Sequence, residues 1–470
     1  MALSYQQTRL IRGTIPALTD HGERITTIFY RNMLRDHPEL NDYFNTVNQA
    51  NGRQPRALTA VILSYANNIN HITELIPKME RMCHKHCSLG IKPEHYAIVE
   101  KYLIAAFAEV LGPAMTPQVR EAWTKAYWML AKMLIGREAQ LYRDFGKWQG
   151  YRKFRIEKKV EESDDIYSFY LVPADGKRLP PFQPGQYVSV QVSIAEKGFL
   201  QSRQYSLSDA PRPDYYRVTV KRDEGLHMTR NGRYLGGGAL NPGVVSNLLI
   251  DMKDEGDIVE LTHPAGEFFL DMSNTSNVPI VLISAGVGVT PMMSILNTVS
   301  ERQPHRPVSW IHGSRRSVPF YDQVRRIARN RPNFRSNIFK THLAESDVYG
   351  VTYDHDFRVD LAKVDREDLY LCHGATEYYI CGPEQFMLEM AEYLKSKQVD
   401  SARMHFELFS TGDMEFKVDT LSIISSTSGA CPGGYSAAPS SAPSINSTTE
   451  RRCPSSGASA SSGQCPFSAA

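Results

Sequence analysis

The segment His86-Cys-Ser-Leu-Gly-Ile-Lys-Pro-Glu-His-Tyr96 is the most informative part of the first third of the chain. Gly90 suits the turn after a helix, and Pro93 suits the first position of the next helix because its missing N–H would be unpaired there anyway. His86 is therefore predicted at the end of a helix that is backed by a turn. Such a place holds a neutral imidazole nitrogen at a fixed angle, which is what an iron ligand requires.

Two other interpretations of this histidine stay open from these residues alone. A single histidine at a helix end is more often a surface or capping residue. The run Cys83-His84-Lys85-His86-Cys87 also suggests a zinc site. Residues 83 and 87 share one face of a helix, whereas 84 and 86 point elsewhere, so convergence of all four on one ion is awkward.

Four successive parts of the chain have different sequence patterns, and together they predict a multidomain fold class. Residues 1–148 show apolar spacing of three and four, which predicts an all-α domain. Residues 151–269 contain short alternating runs between Pro and Gly, which predict an antiparallel β-barrel or sandwich. In residues 270–412 apolar strands alternate with helical patterns, as in an α/β domain with a doubly wound parallel sheet. Residues 419–470 are dominated by Ser, Ala, Pro and Gly, which predicts a disordered tail.

Composition excludes several functional classes. The chain has 470 residues, 42% hydrophobic and 22% charged, as in ordinary soluble proteins. A net charge of +2 gives no electrostatic reason to expect nucleic acid as a partner. Seven cysteines do not make a disulfide framework, and the longest apolar run, residues 278–293, is interrupted by glycine and proline. We therefore expect a cytoplasmic protein that is not integral to a membrane.

Residues 1–148 resemble, over their full length, the globin part of flavohaemoglobins, the nitric oxide dioxygenase family. The resemblance is fungal-like, with residues 419–470 as an extra C-terminal tail. The stretch PELNDYFNTVNQANGRQPRAL (38–58) carries much of it. The resemblance implies a haem b group whose iron ligand is His86. The implied catalytic residues are Tyr30, Gln54, Tyr96 and Glu138, and the two further pocket residues are Phe44 and Leu58.

The chemistry of these residue types explains their expected roles. A carboxylate that accepts a hydrogen bond from the proximal imidazole makes that imidazole a stronger donor to iron. Glu138 and Tyr96 are expected to act in this way on His86. A tyrosine hydroxyl such as that of Tyr30 can donate to dioxygen and stabilise developing negative charge. A simple oxygen store does not need the carboxylate.

The run Arg203-Gln-Tyr-Ser-Leu207 resembles the flavin signature of the ferredoxin-reductase superfamily. A second stretch, Gly243-Val-Val-Ser246, is expected to open a helix whose N-terminal amides bind a pyrophosphate. In this resemblance Tyr205 lies against the flavin ring and Ser206 hydrogen-bonds near flavin N5. The residues implied for FAD are Tyr187, Arg203, Gln204, Tyr205, Ser206, Gly243, Val244, Val245, Ser246 and Phe409.

Two further motifs resemble the nicotinamide side of the same superfamily. Gly286-Val-Gly288-Val-Thr290-Pro291 follows a predicted buried strand and opens a helix, and Cys381-Gly382-Pro383 does the same near the end. Arg315 and Arg316 follow the strand between them, where a 2′-phosphate would lie, which favours NADPH over NADH. The residues implied for NAD(P) are Gly286, Val287, Gly288, Thr290, Pro291, Arg315, Arg316, Cys381, Gly382 and Pro383.

The resemblance implies an NAD(P)H-dependent nitric oxide dioxygenase for nitric oxide detoxification. NADPH or NADH would reduce FAD, FAD would reduce the haem iron, and nitric oxide with dioxygen would leave as nitrate. Its partners would be these small molecules, and we expect a monomer whose haem pocket has room for a lipid. Two alternatives stay open: a haem-based gas sensor or oxygen carrier that reduces itself, and a general flavin reductase.

Overall fold

The computed structural model describes residues 2–44, 52–194, 198–228, 234–236, 242–273 and 277–409. The predicted tail, residues 419–470, lies outside them, and so do its three Cys-Pro pairs, which begin at Cys431, Cys453 and Cys465. The described residues belong to one compact unit. Within it an all-α region, an antiparallel β region and an α/β region each have cores of their own, which confirms the predicted fold class. The boundaries between the three regions remain a prediction.

The first region consists of helices with short connections. Its helices are α1 (Tyr5–Gly13), α2 (Ile15–Asp36), α3 (Arg53–Asn67), α4 (Ile76–Leu89), α5 (Pro93–Leu111) and α6 (Pro117–Asp144), with a 3₁₀ turn at Pro38–Asp42. The Ser4 and Thr116 side chains accept from backbone amides in the first turns of α1 and α6, which otherwise lack partners. Phe107 and Trp123 meet edge to face at 5.0 Å in a core that excludes water.

The second region is an antiparallel barrel. Its sheet is formed by β1 (Arg152–Ser163), β2 (Ile166–Pro173), β3 (Tyr187–Ile194), β4 (Phe199–Ser206), β5 (Tyr216–Lys221) and β8 (Ile258–Leu261), in the order β4-β3-β8-β1-β2-β5. A bridge between Leu207 and Val218 joins its two edges, which closes the ring. A short hairpin, β6 (Leu226–Met228) and β7 (Tyr234–Gly236), and helix α7 (Val244–Met252) lie between β5 and β8 in sequence.

The third region is a parallel sheet between helices. The strands are β9 (Ile280–Ala285), β10 (Val308–Ser314), β11 (Phe334–Lys340), β12 (Glu377–Cys381) and β13 (Met404–Glu407), and the helices are α8 (Val289–Arg302), α9 (Tyr321–Asn330) and α10 (Glu384–Ser396). The order β11-β10-β9-β12-β13 reverses direction at β9. In such sheets ligands bind at the carboxyl ends of the strands, next to the reversal.

Side chains fix the barrel to both neighbours. On the helical side, the Leu200 amide donates to Asp42 Oδ1 at 2.8 Å, and Gln201 Nε2 donates to the Phe44 carbonyl at 3.1 Å. On the other side, Asn297 Nδ2 on α8 donates to Asp209 Oδ1 at 2.7 Å. The three regions therefore meet through directional bonds as well as apolar packing.

The connection between the helical region and the barrel is short and packed. Trp148 lies against the barrel core, 5.7 Å from the ring of Phe154, and Phe145 stacks on His263 at 4.3 Å. In the part of the chain that the structure describes, no helix combines the length and the apolar character needed to cross a membrane.

Candidate functional site

His86 lies near the end of α4, and the local sequence determines that end. Gly90 has a φ of +77°, a left-handed conformation that favours glycine. The turn lets the Ile91 amide donate to the His86 carbonyl at 3.0 Å. Pro93 then begins α5, as predicted. The histidine ring is thus carried on a helix end whose backbone hydrogen bonds are already made.

One nitrogen of this ring is held by two partners. His86 Nδ1 is 2.8 Å from Glu138 Oε1 and 3.0 Å from the Tyr96 hydroxyl. Tyr96 also donates to the same Glu138 oxygen at 2.6 Å. The Glu138 side chain is only 4% exposed, whereas that of His86 is 28% exposed. This arrangement engages Nδ1 and leaves Nε2 as the nitrogen for a metal, so the residues fit an imidazole-bound iron.

The environment of Tyr96 keeps its hydroxyl protonated. Burial raises its pKa, and the neighbouring Glu138 carboxylate raises it further. A neutral phenol can donate to a carboxylate, whereas a phenolate cannot. The triad of Tyr96, Glu138 and His86 is therefore a fixed hydrogen-bond network drawn from α5, α6 and α4.

The four side chains of the zinc interpretation point to separate partners. Cys83 Sγ lies 3.8 Å from the Leu134 carbonyl, and Cys87 Sγ lies 3.7 Å from the Glu138 carbonyl. His84 Nδ1 instead contacts a barrel amide. Among the described residues, no group of three or more His, Cys, Asp or Glu side chains is arranged to hold a metal ion.

A second set of predicted residues lies together on α2 and α3. Tyr30 is buried, and its ring meets Phe44 edge to face at 5.5 Å. Burial raises the pKa of Tyr30, and a hydrogen bond with the Gln54 side chain opposes that shift. Leu58, one turn after Gln54 on α3, packs against the same core. The Tyr30 hydroxyl is thus a protonated donor in an apolar setting, as its predicted role in donating to dioxygen requires.

Five of the ten predicted flavin residues lie on two paired strands of the barrel. Tyr187 on β3 is directly opposite Ser206 on β4. Ser206 Oγ is buried and has no hydrogen-bond partner among the described atoms. A buried hydroxyl without a partner costs free energy unless a ligand satisfies it. Arg203 and Gln204 precede it on the same strand, and burial lowers the Arg203 pKa. These features fit a flavin that lies along β4.

The second flavin motif begins α7. Gly243 precedes the helix, followed by Val244, Val245 and Ser246 in its first turn. A side chain at Gly243 would place Cβ 2.6 Å from the Asp223 Cβ, so the close approach requires glycine. Asp223 also accepts from the Gly243 amide at its carbonyl, at 2.9 Å. Sequence reasoning missed Asp223, because its position follows from the fold of β5 onto α7.

Phe409 follows β13 and is 49% exposed. Its predicted contact with FAD stays a prediction. Two residues earlier, Glu407 lies close enough to Tyr187 for its charge to raise the Tyr187 pKa, after the larger effect of burial. The end of β13 therefore approaches Tyr187, one of the residues predicted to contact FAD.

The predicted nicotinamide motifs meet at the carboxyl edge of the parallel sheet. Gly286–Gly288 form a 3₁₀ turn after β9, and Thr290 and Pro291 lie in the first turn of α8. A Cβ on Gly288 would lie 2.6 Å from the Cys381 carbonyl carbon, so glycine lets the two motifs touch. The Cys381 thiol is fully buried, and burial raises its pKa.

The remaining predicted residues of this site lie at the same edge. Gly382 and Pro383 follow Cys381 at the end of β12 and lead into α10. Val287 is the central residue of the turn after β9. Arg315 and Arg316 follow β10 and are exposed, so both guanidinium groups are open to an anion from solvent.

Comparisons with known proteins agree with this organisation. The globin family model matches residues 27–134, and the model of the oxidoreductase NAD-binding domain matches residues 282–392. The chain is similar to the flavohemoprotein of Bordetella parapertussis, at 41% identity over 87% of this chain and 99% of the relative. The flavohemoprotein of Bacillus subtilis is 39% identical over 87% of this chain and 97% of its own length.

A solved structure supports the same assignment for the whole described architecture. The crystal structure of flavohemoglobin from Malassezia yamatoensis, with bound FAD and heme, matches with a TM-score of 0.73. The match covers 87% of this chain and 100% of that chain at 27% identity. Fold, site geometry and relatives lead to one conclusion: the chain belongs to the flavohemoprotein family.

Proposed function

We propose that this protein is an NAD(P)H-dependent nitric oxide dioxygenase that uses haem b and FAD to convert nitric oxide and dioxygen to nitrate. The observation that carries the proposal is the buried Glu138 carboxylate, 2.8 Å from His86 Nδ1 and 2.6 Å from the Tyr96 hydroxyl. A buried charge of this kind strengthens the imidazole as an electron donor. That property suits oxidative chemistry at the iron more than reversible oxygen storage.

The cofactors supply the redox chemistry: FAD accepts a hydride and delivers single electrons, and the haem iron binds dioxygen. Each pair of nitric oxide and dioxygen needs one electron to leave as nitrate, so one hydride supports two turnovers. The chain's own residues hold and orient these groups. His86 would bind the iron through Nε2, with its tautomer fixed by Glu138 and Tyr96.

Tyr30 and the residues around it would control charge where the reaction occurs. Tyr30 is buried and protonated, so its hydroxyl can donate to a developing negative charge. Its hydrogen bond with Gln54 orients the phenol, and Phe44 and Leu58 exclude water around it. Preorganised donors of this kind act most strongly where water is excluded.

The reductase residues would deliver the hydride. Tyr187, Tyr205 and Ser206 would contact the flavin, and the turn from Gly286 to Gly288 would admit the pyrophosphate of the nicotinamide nucleotide. Arg315 and Arg316 at the carboxyl end of β10 favour NADPH over NADH. Measuring kcat/KM with both coenzymes tests this preference, and a clear preference for NADH would refute it.

The deciding experiment measures nitric oxide at an electrode, using haem- and FAD-loaded protein in air with NADPH or NADH. We expect oxygen-dependent loss of nitric oxide, matching nitrate, and about two nitric oxide molecules consumed for each coenzyme oxidised. Oxygen binding without nitric oxide turnover would favour a sensor or carrier instead. The His86→Ala variant should lose nitric oxide consumption while dye reduction continues, and unchanged nitric oxide consumption would favour a general flavin reductase.

Three further expectations belong to the same proposal: a cytoplasmic location, a monomeric state and a haem pocket with room for a lipid. Cell fractionation, sedimentation equilibrium and mass spectrometry of extracted lipid test them in turn. A membrane-bound fraction, a concentration-independent dimer or lipid-free protein that refuses added lipid would each overturn the corresponding expectation.

A further inference from the structure

The helix that carries His86 also carries two side chains that reach the barrel. His84 is buried on α4, and its Nδ1 accepts a hydrogen bond from the Gly266 amide at 3.1 Å. Arg81 lies one turn earlier, and its Nε donates to Glu267 Oε1 at 2.6 Å. Two consecutive barrel residues are thus bound by two residues on one face of the helix. We call these four residues the helix–barrel contact.

The other nitrogen of His84 ties this contact to the helix that carries Glu138. His84 Nε2 is 3.2 Å from Glu80 Oε1, and Arg137 holds both oxygens of Glu80 at 2.6 and 2.8 Å. Because Nδ1 accepts from an amide, the hydrogen of a neutral imidazole lies on Nε2 and faces a carboxylate. Arg137 is the residue next to Glu138, so α4, which carries His86, and α6, which carries Glu138, are both fastened to the Glu80 carboxylate.

The barrel side of the contact reaches the predicted flavin tyrosine. Tyr187 and Ala265 exchange two backbone hydrogen bonds, each 2.9 Å long. Gly266 has a φ of +120°, and a Cβ there would lie 3.0 Å from two carbon atoms of the Tyr187 ring. The backbone at 265–267 therefore touches the tyrosine on one side and α4 on the other. A side chain at position 266 would therefore require a shift of the Tyr187 ring and a backbone conformation that favours glycine.

We propose that His84 and Arg81 are positioning residues that set the distance between flavin and haem by fixing α4 to the loop that packs on Tyr187. The inference rests on the proposed function, in which an electron leaves flavin reduced by NAD(P)H and reduces the ferric iron. Electron transfer slows steeply as two redox groups separate. A contact that joins α4, which carries His86, to the loop that packs on Tyr187 is therefore well placed to control the rate. A displacement of about 1 Å far from the chemistry can cost a factor of ten or more.

The test compares His84→Leu with His84→Asn in the full chain loaded with haem and FAD. Leucine removes the acceptor for the Gly266 amide, whereas the Asn oxygen can take the place of Nδ1. Stopped-flow absorbance without nitric oxide follows flavin reduction and haem reduction separately. We expect His84→Leu to slow haem reduction by about tenfold with flavin reduction unchanged, and His84→Asn to restore most of the rate.

A second variant and a structural readout keep the result interpretable. Arg81→Gln should slow the same step by a smaller factor, whereas Arg335→Gln, which removes an ion pair to Asp368 of 2.7 Å in the α/β region, should not. Hydrogen exchange of residues 262–270 should accelerate in His84→Leu even without cofactors, because the Gly266 amide loses its acceptor. Haem content and the haem reduction potential should match wild type.

The outcomes separate the two proposals. The positioning role would be overturned if His84→Leu reduced its haem at the wild-type rate. It would also be overturned if His84→Asn and His84→Leu slowed haem reduction equally. A changed haem potential would also overturn it, because the effect would then act through the iron ligand. If wild-type protein reduces its haem but forms no nitrate, the proposed function fails while the positioning role is still tested by the reduction rates.

Discussion

Replacing Glu138 with Gln removes one charge from the proximal network and little else. Gln keeps the length of Glu and one oxygen that can accept from His86 Nδ1 and from the Tyr96 hydroxyl. With Glu138 in place, these two atoms lie 2.8 and 2.6 Å from its Oε1. The Glu138 side chain is 4% exposed, so water does not replace the lost charge. Under the proposed role, the imidazole becomes a weaker donor and ferric iron is less well stabilised.

The size of the effect follows from the hydrogen bond itself. A hydrogen bond to a charged group contributes about 1.5–3 kcal/mol and a neutral one about 1 kcal/mol. If the difference of roughly 1.4 kcal/mol acts on the ferric state alone, it corresponds to about 59 mV for a one-electron couple. We therefore expect Glu138→Gln to raise the haem reduction potential by about 60 mV.

A spectroelectrochemical titration of the haem-loaded full chain measures this potential. Tyr96→Phe is the matched control, because it removes a competing donor to Glu138 and leaves the charge in place. Its potential should stay the same or fall. A potential of Glu138→Gln within about 10 mV of wild type, or an equal rise in both variants, would refute the role of the charge and point to lost packing.

Three other substitutions test the reductase side. Ser206→Ala removes a buried hydroxyl without a described partner, so the melting temperature of the flavin-free protein should not fall. FAD, titrated by fluorescence, should bind about fivefold more weakly. An unchanged FAD affinity would remove Ser206 from the flavin site. Gly288→Ala forces a Cβ against the Cys381 carbonyl, so it should lower thermal stability and raise KM for the coenzyme. Gly374→Ala is the control, because a Cβ at that position has no neighbouring atom within 4 Å, and it should change neither quantity. Burial raises the Glu407 pKa to about 8, so the native state binds an extra proton between the pKa of the unfolded chain and pH 8. The free energy of unfolding in urea should therefore fall as pH rises through that window. Glu407→Gln should flatten this pH dependence, and the same slope in variant and wild type would contradict the shift.

Periodicity and turn residues were sufficient to predict the fold class and most of the local geometry. Gly90 and Pro93 predicted the helix end that carries His86, because a left-handed turn and a proline at a first helical position follow from backbone sterics. The glycine motif at Gly286–Gly288 predicted a strand followed by a helix for the same reason. The positions of Tyr30 and Glu138 came from resemblance, since a buried tyrosine and a glutamate on a helix carry no local signal of a site.

Which distant groups meet depends on the tertiary fold. His84 lies two residues before the predicted ligand, and the sequence suggests only a zinc ligand there, yet its partner Gly266 is 182 residues away. Arg137, Glu80 and Asp223 also gave no signal, because an ion pair or an amide acceptor depends on how helices and strands pack. Periodicity and turn chemistry act within a few residues, whereas the contact between helix and barrel depends on the docking of two separately formed cores.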